Sequence, residues 1–443
     1  YYRKRFDVVQ ISVGDVSLQK LRTAAAAALR DGGQDYQTNT TIGLYVQQQF
    51  ALRDRLFLTG AVRVDNNSAF GEEFDLATYP KLSASWVVSE EPFWKSGPAR
   101  ALTTLKLRSA FGVSGQQPDA FAALRTFQPV TGSQDQPAVT PQFVGNAELR
   151  PERGVEFEAG FEAGLYDRVS VDFTYFAKRT RDAILLRPVA PSLGFPGAQF
   201  VNIGEVSNRG VELGVRAQLV ARERVGWEST VNLGTARDRI EDLGGIPFIA
   251  IPGLPQRHVE GYPIGGYWAR RVVSADVAPS GAVTNILCDG GAENGGRPLP
   301  CGAAPALFQG TITPTLTGAV GNTVTLGRNL RLYALVDFQR GHRLLDTDAV
   351  IRCAIFRVCD VNVRPQDFAP QYVGNAQLGS GLQAGRAGAE RATLTLAGRN
   401  LHTWTRFPGL DPERRSLIAQ IGQLDQAVTP MLAQFVATLN LTF

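Results

Sequence analysis

The sequence predicts an all-β protein, a transmembrane antiparallel β-barrel of about 14 strands. Three observations predict it. Apolar and polar residues alternate with period two in long segments. The segments are joined by two classes of connection, tight and long. No stretch approaches the ~18 uncharged apolar residues of a membrane-spanning helix, and the longest small apolar run, Ala24 to Leu29, is far too short.

The alternating segments start near Arg5, Thr40, Arg55, Thr78, Leu102, Glu152, Arg168, Val206, Glu223, Gly265, Thr315, Asn329, Arg391 and Leu432. In the segment after Glu152, the positions Val155, Phe157, Ala159, Phe161, Ala163 and Leu165 face one way. Glu156, Glu158, Gly160, Glu162 and Gly164 face the other. Val169, Val171, Phe173 and Tyr175 then oppose Ser170, Asp172 and Thr174, with Phe176 as the exception. Val211, Leu213 and Val215 oppose Glu212, Gly214 and Arg216, and the pattern returns from Phe435 to Phe443. Strands of soluble sandwiches usually have about five or six residues. These run roughly ten to fifteen, enough to cross a ~30 Å hydrocarbon layer at a tilt.

The expected faces follow. Phe157, Phe161, Phe173, Tyr175 and the terminal Phe443 are assigned to lipid, and Glu156, Glu158, Glu162, Asp172 and Glu212 to a polar lumen. Phe443 suits either a C-terminal barrel signal or an interfacial aromatic belt. The tight connections are at Asp54, Asp167 and the Ala221-Arg222 region. The long ones fall near 114–151, 183–205, 239–264, 275–312, 342–390 and 402–431. Short turns on one side and long loops on the other are the asymmetry of an outer-membrane barrel.

Length alone suggests about three domains at ~150 residues each, but alternation along all 443 residues argues for one. With 44% apolar residues and a net charge of +4 the chain is neither disordered nor a nucleic-acid binder, since it has no basic block. The cysteines fall into two local pairs in loops, Cys288 with Cys301 and Cys353 with Cys359. That spacing favours two disulfides, and so an oxidising compartment, over a four-thiol metal site. No GxSxG, HExxH, P-loop or GxGxxG constellation is present, and His258, His342 and His402 stand isolated, so no enzyme, cofactor or metal site is expected. The Asp289–Gly296 loop lacks EF-hand ligand spacing and reads as a flexible turn inside a disulfide.

Several blocks resemble the C-terminal barrel of SusC/RagA-type TonB-dependent outer-membrane transporters. They include Arg55–Asp65 with Asn66-Asn67-Ser68, Tyr79–Trp86 leading to Ser89–Phe93, and Leu105–Gly112 followed by Gly115-Gln116-Gln117. Asn146–Glu152, Asn202–Glu212, Gly398–Trp404, Pro408–Glu413 and Leu439–Phe443 complete the set. Their order and spacing cover the chain from about residue 38 to its end.

The resemblance implies a barrel of 22 strands, of which residues 1–443 would be a partial barrel domain without the plug and the N-terminal strands. Tyr1-Tyr2-Arg3-Lys4 has no initiator Met and no apolar signal segment after it, as a mature or truncated piece would. It further implies TonB-driven import of an oligosaccharide or peptide, with a SusD-like lipoprotein as lid and TonB acting through the N-terminal part. A passive porin or structural barrel is the alternative. One further strand, with Arg and Leu alternating, is expected between the Cys353–Cys359 loop and Arg391, where Gly374 to Gly388 reads as linker.

Overall fold

Among the described residues thirteen strands form one continuous antiparallel sheet in which neighbours in space are neighbours in sequence. The computed structural model describes residues 2–16, 27–70, 76–95, 101–119, 122–195, 198–251, 253–327 and 330–378, with six short pieces between 392 and 435. The strands are β1 Tyr2–Val16, β2 Ala27–Leu52, β3 Leu56–Asn67, β4 Ala77–Val87, β5 Leu102–Gln116, β6 Glu152–Leu165, β7 Val169–Arg181, β8 Glu205–Arg222, β9 Val225–Asp242, β10 Leu316–Leu326, β11 Leu330–Arg340, β12 Ala392–Leu396 and β13 Thr403–Trp404. Among the described residues β1 and β13 are the two edges and are not paired with each other.

The alternation sets the register. Phe161 lies opposite Phe173 and Glu162 opposite Asp172, so each face of the sheet keeps its character from strand to strand. Phe176, the exception in β7, lies opposite Gly210 on the polar face. A Cβ at Gly210 would stand 2.8 Å from its ring, so the missing side chain is what makes room for it.

Two turns are built from paired left-handed residues. Arg53 and Asp54 (φ 53° and 54°) join β2 to β3, and Tyr166 and Asp167 (φ 51° and 54°) join β6 to β7. Two successive positive φ values give the mirror-image turn whose twist matches a tight hairpin. The opposite end of the sheet carries the long connections after β5, β7, β9 and β11. Two of these hold a hairpin of their own, Thr126–Thr131 with Pro137–Phe143 and Ile184–Pro188 with Ala198–Asn202.

The segment near Gly265 is not a barrel strand. Gly266–Ala269 belongs to a four-stranded loop sheet with Ile249–Ala250, Gln256–His258 and Leu307–Gly310. Gly266, Tyr267 and Ala269 are all buried, so both faces are covered by protein, unlike a strand with one face left open. Residues 243–315 are therefore a single loop. With that strand removed, the connection from β11 to β12 falls on the long-loop end and β11 pairs directly with β12; of the segment expected to hold a further strand before Arg391, residues 379–391 lie outside the described residues. Of the region near Leu432, Gln434–Phe435 pairs with Gly398–Arg399; the rest lies outside the described residues.

The two longest loops fold on each other. Val272–Val277, Val283–Asp289 and Pro298–Pro300 form a three-stranded sheet, and helix α1, Pro370–Leu378, lies on it. A Cβ at Gly374 would stand 3.2 Å from both Val272 and Ile286. Cys288 is bonded to Cys301 and Cys353 to Cys359. Each disulfide sits in its own small apolar cluster, the first with Val272 and Ala304, the second with Val361, Val373 and Ala376.

Chain-entropy arithmetic gives the Cys353–Cys359 link about 2 kcal/mol. Replacing both cysteines by Ser should speed protease nicking within 341–391 while the sheet keeps its circular dichroism and heat resistance. Unchanged nicking would contradict a stabilising role.

Candidate functional site

The polar face carries the chemistry. Arg108 on β5 reaches across two strands: its Nη1 donates to Glu162 at 3.0 Å and its Nη2 donates to Asp172 at 2.7 Å. Nη1 also donates to the second Asp172 oxygen at 3.0 Å, which makes that pair bidentate. Nη2 donates to Thr174 as well, and Lys106 Nζ lies 3.1 Å from Glu162. Farther along, Arg216 pairs with Glu228 at 2.9 Å on the same face. The strands place these groups by period two: Lys106 and Arg108 occupy the polar positions on either side of Leu107, opposite Glu162 and Gly160.

Beside this network lies a recess of about 610 Å³ whose floor is Gly214 and Gly234. Asp172, Glu212 and Asp337 bring three carboxylates to its wall. The structure therefore joins Glu162 to Asp172 through Arg108, and Asp172 to Glu212 through the recess. It places Glu156 opposite Gly112 and Lys178, and Glu158 opposite Ala110 and Phe176, where Glu158 lines a further recess with Lys106, Arg108 and Thr174. The sequence reading places Thr174 on the polar side of its strand, but Lys106, Arg108 and Asp337 are not among its expected lumen residues, and it does not foresee the partnership of all four. The signal was present, since all four sit at polar positions of alternating strands, but which strands pair is a tertiary fact.

On the other face the Phe161 and Phe173 rings stack with centroids 5.5 Å apart. Phe157 lies opposite Phe111 and Ala177, and Tyr175 opposite Ala159 and Val211. The Trp227 indole N–H donates to Asn322 at 3.0 Å near the short-turn end of this face. Phe443 and His402 lie outside the described residues.

At the long-loop end a cavity of about 960 Å³ opens between the loops after β5 and β7. Arg125, Asn146, Arg150, Arg187, Gln199 and Asn202 are among its lining residues. Arg125 also rests on the Phe195 ring, 5.6 Å from its centroid. In the loops after β9, burial holds the His258 imidazole below its usual pKa, and its Nδ1 accepts the Gly265 N–H at 3.3 Å. The Asp289 carboxylate takes the Gly291 N–H at 2.9 Å and the Arg271 guanidinium, which hold its pKa below the usual carboxylate range. An arginine on this carboxylate suits an ordered turn and not a cation site. Among the described residues no group of three His, Cys, Asp or Glu side chains could hold a metal ion.

Comparison with known proteins agrees with this architecture. Residues 6–277 match the family model described as TonB dependent receptor-like, beta-barrel. The chain is 23% identical to TonB-dependent receptor P3 of Formosa agariphila, over 100% of the chain and 51% of the relative. It is 26% identical to TonB-dependent receptor SusC of Bacteroides thetaiotaomicron, over 51% of the chain and 22% of the relative. The RagAB peptide importer in its closed-closed state shares the fold with a TM-score of 0.72 at 16% identity, over 93% of this chain and 50% of that one. The chain thus spans about half, or less, of the length of the curated relatives it matches.

Replacing Arg108 by Ala should lower stability by about 1–2 kcal/mol, since partly exposed ion pairs are individually weak but this one is bidentate and shared. Urea unfolding in detergent micelles measures it. Adding Asp172→Asn to Arg108→Ala should recover part of the loss, because it removes the carboxylate left without its partner. Additive losses would contradict the coupling.

Proposed function

Because the chain belongs to the TonB dependent receptor-like β-barrel family, a family of outer-membrane transporters and not of enzymes, we propose that the whole protein imports a nutrient across the outer membrane with energy from TonB. The cargo is an oligosaccharide or a peptide, received at the long-loop end beneath a SusD-like lipoprotein. The observation that carries this reading is the family match itself, which falls on a long-stranded sheet with one charged, uncovered face. The similarity to SusC, and the fold shared with the RagAB peptide importer, support the cargo class and the lipoprotein partner. Arg125, Arg150 and Arg187 line the cavity with guanidinium donors suited to the oxygens of hydroxyl-rich or amide-rich cargo.

In this reading the apolar face with Phe157, Phe161, Phe173 and Tyr175 meets lipid. The face with Glu156, Glu158, Glu162, Asp172 and Glu212 lines the lumen. The cost of the reverse arrangement supports it. A basic residue facing lipid at the midplane costs roughly 2–4 kcal/mol and an acidic one less, and β6 alone would expose three glutamates.

Uptake of labelled oligosaccharide and peptide mixtures by cells producing the full-length protein tests the proposal. Uptake of one class should stop when TonB is deleted or the proton gradient is collapsed. Uptake that persists under both treatments would favour a passive barrel.

A further inference from the structure

The apolar face ends in arginine. On β6 the outward positions run Leu165, Ala163, Phe161, Ala159, Phe157 and Val155, and then Arg153. On β7 the apolar run ends at Ala177 and gives way to Arg179 and Arg181; on β8 Val211 gives way to Arg209; on β9 Thr235 gives way to Arg237 and Arg239. The change is staggered from strand to strand: Arg153 is opposite Arg181, whereas Arg209 is opposite Arg237 on one side and Ala177 on the other, four residues nearer the short-turn end. From Val155 to Leu165 the strand rises about 33 Å, or ~25 Å along the membrane normal at a ~40° tilt. That is the height of a barrel's lipid-facing band, so Arg153 stands at its rim on the long-loop side, and Arg209 and Arg237 close the apolar runs of their own strands at the same end.

The charge in this row is not balanced by the protein. Glu205 is taken by Arg179 and Arg181, and Glu241 by Arg239 and the Ser207 hydroxyl. Asp242 accepts the Gly244 N–H. Among the described residues no side-chain hydrogen bond or ion pair reaches the guanidinium of Arg153, Arg209 or Arg237, all three exposed. Like charges directly opposite each other on antiparallel strands are destabilising, yet Arg209 and Arg237 are so placed.

We infer that Arg209 and Arg237 form a binding site for a phosphate-bearing lipid headgroup of the outer leaflet. The inference rests on the lipid-facing orientation proposed above. Two adjacent guanidinium forks match the several acceptor oxygens of one phosphate. The apolar wall below, through Tyr175 and Val211, offers the acyl chains their surface, and this is why the occupant is a lipid and not a free anion. The bound phosphate would also supply the counter-charge that the Arg209–Arg237 pair lacks.

Native mass spectrometry of the full-length protein in detergent, with diphosphorylated or dephosphorylated lipid A as probe, tests this. The phosphorylated lipid should bind preferentially. Arg209→Gln with Arg237→Gln should weaken it about 30-fold, each charge near an anionic surface being worth about a factor of five. The double Lys variant should keep part of the binding, and its folding shows that the Gln variant's loss is not misfolding. Arg108→Gln, on the opposite face, should leave binding unchanged. Equal binding of both lipids, indifference to the double Gln variant, or full competition by millimolar inorganic phosphate would overturn the inference. Loss of binding in Arg108→Gln, with the double Gln variant unaffected, would overturn it through the assignment of the faces and would leave the import reading standing.

Discussion

Every backbone N–H and C=O in a hydrocarbon layer has to be paired within the protein, because there is no water there to accept or donate. The rest of this structure depends on that constraint. It demands unbroken ladders, and the register from β1 to β11 supplies them over long strands with only local irregularities. Once the ladders are continuous, side-chain parity carries from strand to strand, and one choice of face decides the environment of every residue. Gly210 shows how strict this is, since a single Cβ there would collide with the Phe176 ring and with the facing backbone.

The loops obey a different rule. Outside the membrane they have water for their backbone groups but too few residues for a large core. The connections after β9 and β11 solve this jointly, with a three-stranded sheet, one helix and two disulfides in adjacent apolar clusters. The cross-links limit the unfolded freedom of segments whose burial alone would hold them weakly.

Much of this was legible in the residues. The alternation in β6 to β9, the two-ended pattern of connections and the cysteine pairs are local signals, and local signals survive folding. The Gly265 segment misled because Gly266 to Ala269 is apolar and short, and an apolar run buried on both faces cannot be told from a spanning strand by composition. Removing it also removes the count of sides that supported a further strand before Arg391, an expectation that came first from the resemblance. The Arg108 network was hidden for another reason. Lys106, Glu162 and Asp172 are visible as polar positions, but Glu162 and Arg108 are 54 residues apart, and only strand order makes them partners.

The central claim is that one face of the sheet touches lipid and the other touches water. Spin labels placed singly from position 155 to position 165 of the full-length protein, reconstituted in bilayers, measure it directly. Collision with oxygen, which concentrates in lipid, should peak at 157, 159, 161 and 163, and collision with a water-soluble nickel chelate should peak at 156, 158, 160 and 162. The opposite phase, or access to the nickel chelate at every position, would contradict the account.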